Sequence, residues 1–223
     1  MSEKWRDAVV KAMQKAAEAG AAGSSSSAVL ANNRFVRSTL GYNYRWEHVT
    51  SVVTLAIKLA NILDADENVV EAAAWLHDIT KTDGEEHAET AAEFARVFLE
   101  ETDFPREKIE DVAQAISDHK GLWRERPLTN LSSMILWDAD KLSKLGLTAV
   151  VHWTGLVLSR QEPVTTGGLI GLKQNLEWQR KSVDSLHTQP AREAAKIRMD
   201  SYEQFWSNLE IELAGDDILP DFQ

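Results

Sequence analysis

His48, His77, Asp78, His87 and His119, followed by the acidic pair Asp138 and Asp140, recur along the chain in an order that suits chemistry on a divalent metal. Imidazole nitrogens and carboxylate oxygens suit Fe, Mn, Ni, Co, Zn or Mg, and a mixed set leaves positions open for water and substrate. His77 and Asp78, in AAAWLHDITK, anchor the series. Consecutive residues diverge by about 100° around a helix. Both therefore reach one ion only near a helix end, unless Asp78 bridges two ions. His87 lies on the stripe His87, Ala91, Phe94 and Phe98, and His119 follows Ile109, Val112 and Ile116. Spacings of three and four turn both inward. An isolated His on an apolar face is more often a core residue bonded to a carbonyl. Four inward imidazoles are costly to bury without partners, and a shared metal satisfies them together.

The elements that must carry these residues read as helices nearly throughout, so the sequence predicts an all-α bundle of about eight to ten helices. A first helix spans Lys4 to Ala19, stopped by Gly20, and GSSSS from Gly23 to Ser27 breaks the chain before a helix from Leu30 to Leu40. His48 to Leu63 is a long helix. Asn68 to Ile79 is apolar nearly all round and therefore central. A loop from Thr80 to Glu85 leads into Glu86 to Leu99, and Pro105 opens a helix ending near His119, with Gly121 as stop. Helices over Asn130 to Leu145 and Thr148 to Ser159 precede a Gly-rich loop from Pro163 to Gly171. Lys173 to Leu186 and Ala191 to Leu213 are the last two helices. This organisation divides the chain into N-terminal helices (1–43) packing on the core, a metal-binding core (44–160), and C-terminal helices (161–223) completing the same domain.

Composition narrows the function classes. The 223 residues are 43% hydrophobic and 26% charged, as in a soluble globular protein. The absence of cysteine excludes disulfides and thiolate ligands, leaving His, Asp and Glu as strong ligands. A net charge of −11 argues against a nucleic-acid polymer or an anionic membrane as partner. It leaves room for a small phosphorylated substrate held by a metal and a few local cations. The N-terminal stretch has no signal-peptide core, and a cytoplasmic location is expected.

His48 in RWEHVTSV, His77 and Asp78 in LHDITK, and the Asp of ILWDADKL together resemble the HD superfamily of metal-dependent phosphohydrolases. The resemblance covers roughly Tyr44 to Ser159 and implies a helical bundle whose helices converge on the metal. Many members carry an Ala-Asp-Lys/Arg-Leu string whose Asp binds metal, which maps onto Asp140. Periodicity points elsewhere: Leu131, Ile135, Asp138 and Leu142 form an apolar stripe, and Asp140 falls opposite it. Asp138 is then either a residue supporting a ligand or the ligand itself. Two-metal members add histidines after the His-Asp pair, and HAETAAEFA and AISDHKG are similar to those positions. The resemblance thus implies one metal held by His48, His77, Asp78 and Asp140, with Asp78 bridging to a second held by His87 and His119. With one metal, His87 or His119 serves as general acid or contacts substrate.

By the same resemblance Lys81 follows the His-Asp pair as a substrate-facing cation, and Lys141 matches a phosphate-contacting Lys. Arg45, Lys120, Arg124 and Arg126 are further cations near the expected mouth. Asp78 and Lys81 are the expected catalytic residues, and hydrolysis of a nucleotide or other small phosphate ester is the expected reaction. The alternatives are a di-iron oxygenase of the same superfamily and a binding protein that retains metal without turnover. Trp123 and Trp137 are candidates to stack on a base, with core packing the commoner role for the tryptophans, and His152 and His187 fit no ligand spacing.

Overall fold

Recurrent i, i+3, i+4 apolar spacing gives these segments faces to bury, and ten α-helices with no strand form among the described residues. The computed structural model describes residues 4–23, 42–124, 126–159, 165–171 and 176–218. Helix α1 (Lys4–Gly23) buries Trp5, Val9, Met13 and Ala17, one residue per turn, against α2 (Tyr44–Leu63) and α3 (Glu67–Leu76). It continues through Gly20, the expected stop, because one Gly costs a helix interior only about 1 kcal/mol. The expected helix over residues 30–40 and the serines of the GSSSS break lie outside the described residues.

Helix α2 starts four residues before His48, since the Asn43 side chain accepts the Trp46 N–H at 3.2 Å and caps it there. It ends at Asp64, which takes the left-handed conformation with φ 54°. Helix α3, capped by Asp66, is buried over most of its circumference, as its composition predicts. Helix α4 (His87–Glu100) packs on α5 (Ile109–Asp118), and α5 packs on α3 and α6 (Leu131–Leu142). Helix α7 (Leu147–Ser159) touches α2. The segment expected as loop over Pro163 to Gly171 contains the short helix α8 (Thr166–Ile170), nucleated by the Thr165 hydroxyl accepting the Gly168 N–H. Helix α9 (Leu176–Asp184) leads to α10 (Gln189–Ala214), which lies across α6, α7, α9 and α2. The resulting core draws buried side chains from α1 to α6 and from α10 into one cluster. Among the described residues no helix is long and apolar enough to cross a membrane.

Two features of this packing set the site. At the centre α3 and α6 touch each other, and each of them touches both α2 and α5. Helix α3 ends at Leu76, three residues short of the expected Ile79, so His77 and Asp78 fall in the turn just beyond it.

Candidate metal centre

His77 caps α3 with its backbone still helical (φ −55°, ψ −36°) and its N–H on the Ala73 carbonyl, and the chain departs from the α-helix only beyond it. The Ile79 N–H bonds the Leu76 carbonyl and the Lys81 N–H bonds the Asp78 carbonyl, tightening the backbone into successive three-residue turns. A 3₁₀ turn over Lys81–Glu86, bent at Gly84 (φ 68°), then brings His87 back toward Asp78. This turn replaces the open loop expected between Thr80 and Glu85.

Asp78 is the centre of the arrangement. Its Oδ2 lies 3.7 Å from His48 Nε2 and 3.8 Å from His77 Nε2. Its Oδ1 lies 3.6 Å from His87 Nε2 and 3.7 Å from His119 Nε2. One carboxylate therefore presents a separate oxygen to each of two imidazole pairs. His48, His77 and Asp78 form one group able to hold a metal, and Asp78, His87 and His119 form another. Metal–ligand distances of about 2.0–2.2 Å imply donors roughly 3–3.5 Å apart, close to these separations.

Every imidazole is committed through its other nitrogen. His77 Nδ1 bonds the Ala74 carbonyl at 2.8 Å, and His87 Nδ1 bonds the Gly84 carbonyl at 2.6 Å. His119 Nδ1 bonds the Ile116 carbonyl. A carbonyl only accepts, so these three rings carry their proton on Nδ1 and turn an unprotonated Nε2 inward. His48 Nδ1 lies 3.0 Å from Ser143 Oγ, and that hydroxyl donates its own hydrogen to the Asp140 carbonyl at 2.8 Å. His48 must then donate from Nδ1 as well. His119 Nε2 is buried without any hydrogen-bond partner. An orphaned imidazole nitrogen beside a carboxylate and the rings of His77 and His87 fits a cation.

Electrostatics agree with that chemistry. Burial drives the His77 imidazole down to about 3 and lowers His48, which Lys144 lowers further. Burial also lowers His87, helped by the Lys81 ammonium. Burial alone raises Asp78, yet the imidazoles of His77, His119 and His48 and the Lys81 ammonium bring it well below the usual carboxylate range. Neutral imidazoles around ionised carboxylates are the forms that ligate metals.

The two candidate aspartates on α6 separate clearly. Asp140 Oδ1 lies 3.2 Å from His48 Nε2. Asp138 points away, accepting the backbone N–H groups of His187 at 2.8 Å and Thr188 at 2.7 Å, where it closes the start of α10. The apolar stripe misassigned these positions because α6 is buried from Ile135 to Leu142 without interruption, so it has no solvent face to define a period. Asp138 contributes to fold and lies away from the imidazoles.

The cations also sort themselves. Lys81 Nζ lies 3.0 Å from both Asp78 Oδ1 and His87 Nε2, with its side chain 43% exposed, so it stands at the mouth. Lys141, expected at the substrate, is buried: its ammonium donates to Asp140 Oδ2 and the Gly121 carbonyl and sits 4.2 Å from the Trp137 ring centroid. Lys144, which follows Asp140 by one helical turn, donates to Asp140 Oδ1 at 2.6 Å. Sequence reasoning missed Lys144, although its i, i+4 spacing from Asp140 was a usable signal. It also missed Tyr44, whose ring stacks on His48 at 5.9 Å and 5° between planes. Trp137 is fully buried, which removes it as a platform for a base, while Trp123 is exposed. Lys120 pairs with Glu89 at the surface, and Arg45 donates to the Ala16 carbonyl.

Solved structures share this architecture. A predicted HD superfamily hydrolase from an uncultured Thermotogales bacterium is 21% identical, with a TM-score of 0.61 over 93% of this chain and 92% of that one. Bacillus subtilis YpgQ is 19% identical with a TM-score of 0.60, covering 91% of this chain and 98% of its own. The same YpgQ in complex with ADP matches with equal identity and TM-score over 89% and 98%. At such identity the likeness establishes the fold, an all-α bundle. Residues 45–145, a stretch that contains all six candidate ligands, match the HD domain family.

Proposed function

We propose that this chain is a metal-dependent phosphohydrolase acting on a nucleotide or another small phosphate ester, with two divalent ions. The observation that carries the reading is the division of Asp78, one oxygen toward His48 and His77 and the other toward His87 and His119. His48, His77, Asp78 and Asp140 would hold one ion, and Asp78, His87 and His119 the other. Bound there, divalent metal supplies an acidified water and a Lewis-acid contact for a phosphoryl oxygen. Lys81, exposed beside Asp78, is the side chain that would neutralise charge on an incoming phosphate. Lys144 holds Asp140 in place and adds a second positive charge within the site. The binding of ADP by YpgQ supports a nucleotide as substrate class.

The test is metal analysis of the purified protein followed by phosphate and pyrophosphate release from a nucleotide panel, with and without oxygen. The expected result is about two ions per chain and oxygen-independent release that His77→Ala and Asp78→Ala abolish. His87→Ala and His119→Ala should each lower the stoichiometry to about one. Turnover that requires oxygen and iron would replace this reading with the oxygenase one. Absence of release with every divalent metal would leave a binding protein.

A further inference from the structure

A second cluster of nitrogen donors lies on the other side of α6. The connection between α5 and α6 and the turn between α9 and α10 enclose a cleft of about 320 Å³, lined by Arg124, Leu128, Met134, Asp184, His187 and Arg192 among others. That volume lies within the size range of small-molecule sites. Neither arginine forms an ion pair among the described residues, although Asp184 lines the same cleft. Arg124 donates through Nη1 to the Asp118 carbonyl, and its Nε is buried without a partner. Arg192 is exposed at the rim and spends Nη1 on the Leu186 and His187 carbonyls.

His187 supplies a third donor. Its Nε2 accepts the Leu128 N–H at 2.9 Å, so the proton resides on Nδ1. That Nδ1 is buried without a hydrogen bond, 3.5 Å from Asp138 Oδ1. Burial lowers the imidazole, and the nearby Arg124 and Arg192 guanidiniums lower it further. Two arginines and one histidine therefore line the same cleft.

We propose that this cleft is a second binding site, separate from the metal centre, for a small phosphate-bearing anion held by Arg124 and Arg192. Each guanidinium presents a planar fork that matches two phosphate oxygens, and a phosphate dianion balances both charges where a carboxylate balances one. The wall between this cleft and the metal centre is Trp137, with Arg124 5.4 Å from its ring centroid and Lys141 of the metal side 4.2 Å from it. An anion here sits against both ligand-bearing helices. Arg124 holds the carbonyl just before His119, and His187 faces Asp138, two residues before Asp140.

Titration of the metal-loaded protein with inorganic phosphate, followed by calorimetry, tests the site. The expected result is a binding class that His77→Ala retains and that Arg124→Gln or Arg192→Gln weakens by about tenfold each. Both arginines also brace backbone carbonyls, so Met134→Trp provides an independent check: it fills the cleft with both guanidiniums intact and should weaken the same class. Metal stoichiometry should stay unchanged in all three cleft variants. Phosphate binding that His77→Ala removes and the cleft variants leave alone would overturn the proposal while keeping the metal-centre reading. Complete absence of phosphate binding would overturn it too.

Discussion

His48 differs from the other three imidazoles in its support, because a side chain and not a carbonyl receives its Nδ1–H. Ser143→Ala removes that acceptor while leaving every proposed ligand in place. Loss of such a supporting partner lowers metal affinity by about 10- to 100-fold, and competition against a chelator measures it. Asp138 and Asp140 make a sharper pair. Asp140→Asn should abolish binding of one ion, read as metal stoichiometry, with the protein still folded. Asp138→Ala should leave metal content intact but strand two buried N–H groups at the start of α10. Its cost is about 1–3 kcal/mol per group, seen in urea denaturation. The reverse pattern would make Asp138 the ligand. At this scale the histidines were legible from their spacing, since a His on a helix keeps the direction its apolar neighbours define. Periodicity did not separate the aspartates, because α6 is buried without interruption from Ile135 to Leu142, and only the resemblance pointed to Asp140.

Helix ends, more than helices, shape the centre. The stop of α3 at Leu76 lets His77 and Asp78 converge, and the turn at Gly84 folds His87 back. The end of α6 has a comparable constraint at Gly146, which takes φ 72° with Arg198 of α10 against it. A Cβ there would lie 2.7 Å from Arg198 Cβ and 3.0 Å from its carbonyl oxygen. Gly146→Ala combines left-handed backbone strain with that clash. It should cost of order 1–3 kcal/mol and lower the chemical-denaturation midpoint. An unchanged midpoint would show that α10 yields freely at this contact. The sequence marks Gly146 as a stop, but the approach of α10 belongs to packing between distant segments.

For the molecule as a whole, a centre with buried neutral imidazoles ties stability to both metal and pH. Metal at about a thousandfold over its dissociation constant adds about 4 kcal/mol to the native state. Chelation should therefore lower Tm by roughly 8–16 °C for a chain of this size. In the metal-free protein, His77 is held near 3 against an ordinary 6.5, and His48 and His87 shift the same way. Below about pH 6.5 the unfolded chain takes up protons that the native one refuses, so stability falls as pH drops toward 3. Asp78 and Asp140, depressed in the native state, extend that loss below their ordinary 3.8. Burial raises Asp138, which opposes the trend just above that value. Urea midpoints of metal-free protein from pH 7 to 4 test the sign, and a midpoint that rises on acidification would refute it.

Helical periodicity, the order of the His and Asp residues and the lack of cysteine were enough to specify an all-α bundle and a His/Asp cluster able to hold metal. Those are local properties: periodicity, composition and residue type survive without knowledge of neighbours. The division of Asp78 between two imidazole pairs, the choice of Asp140 over Asp138, and the exchange of Lys141 for Lys144 beside His48 are of another kind. Each depends on where α2, α5, α6 and α10 meet, and contacts between residues tens of positions apart leave no periodic trace. The same holds for the Arg124–Arg192 cleft, whose two cations, one in the connection after α5 and one in the first turn of α10, stand nearly seventy residues apart in sequence and are brought together by the packing of α10 on α6.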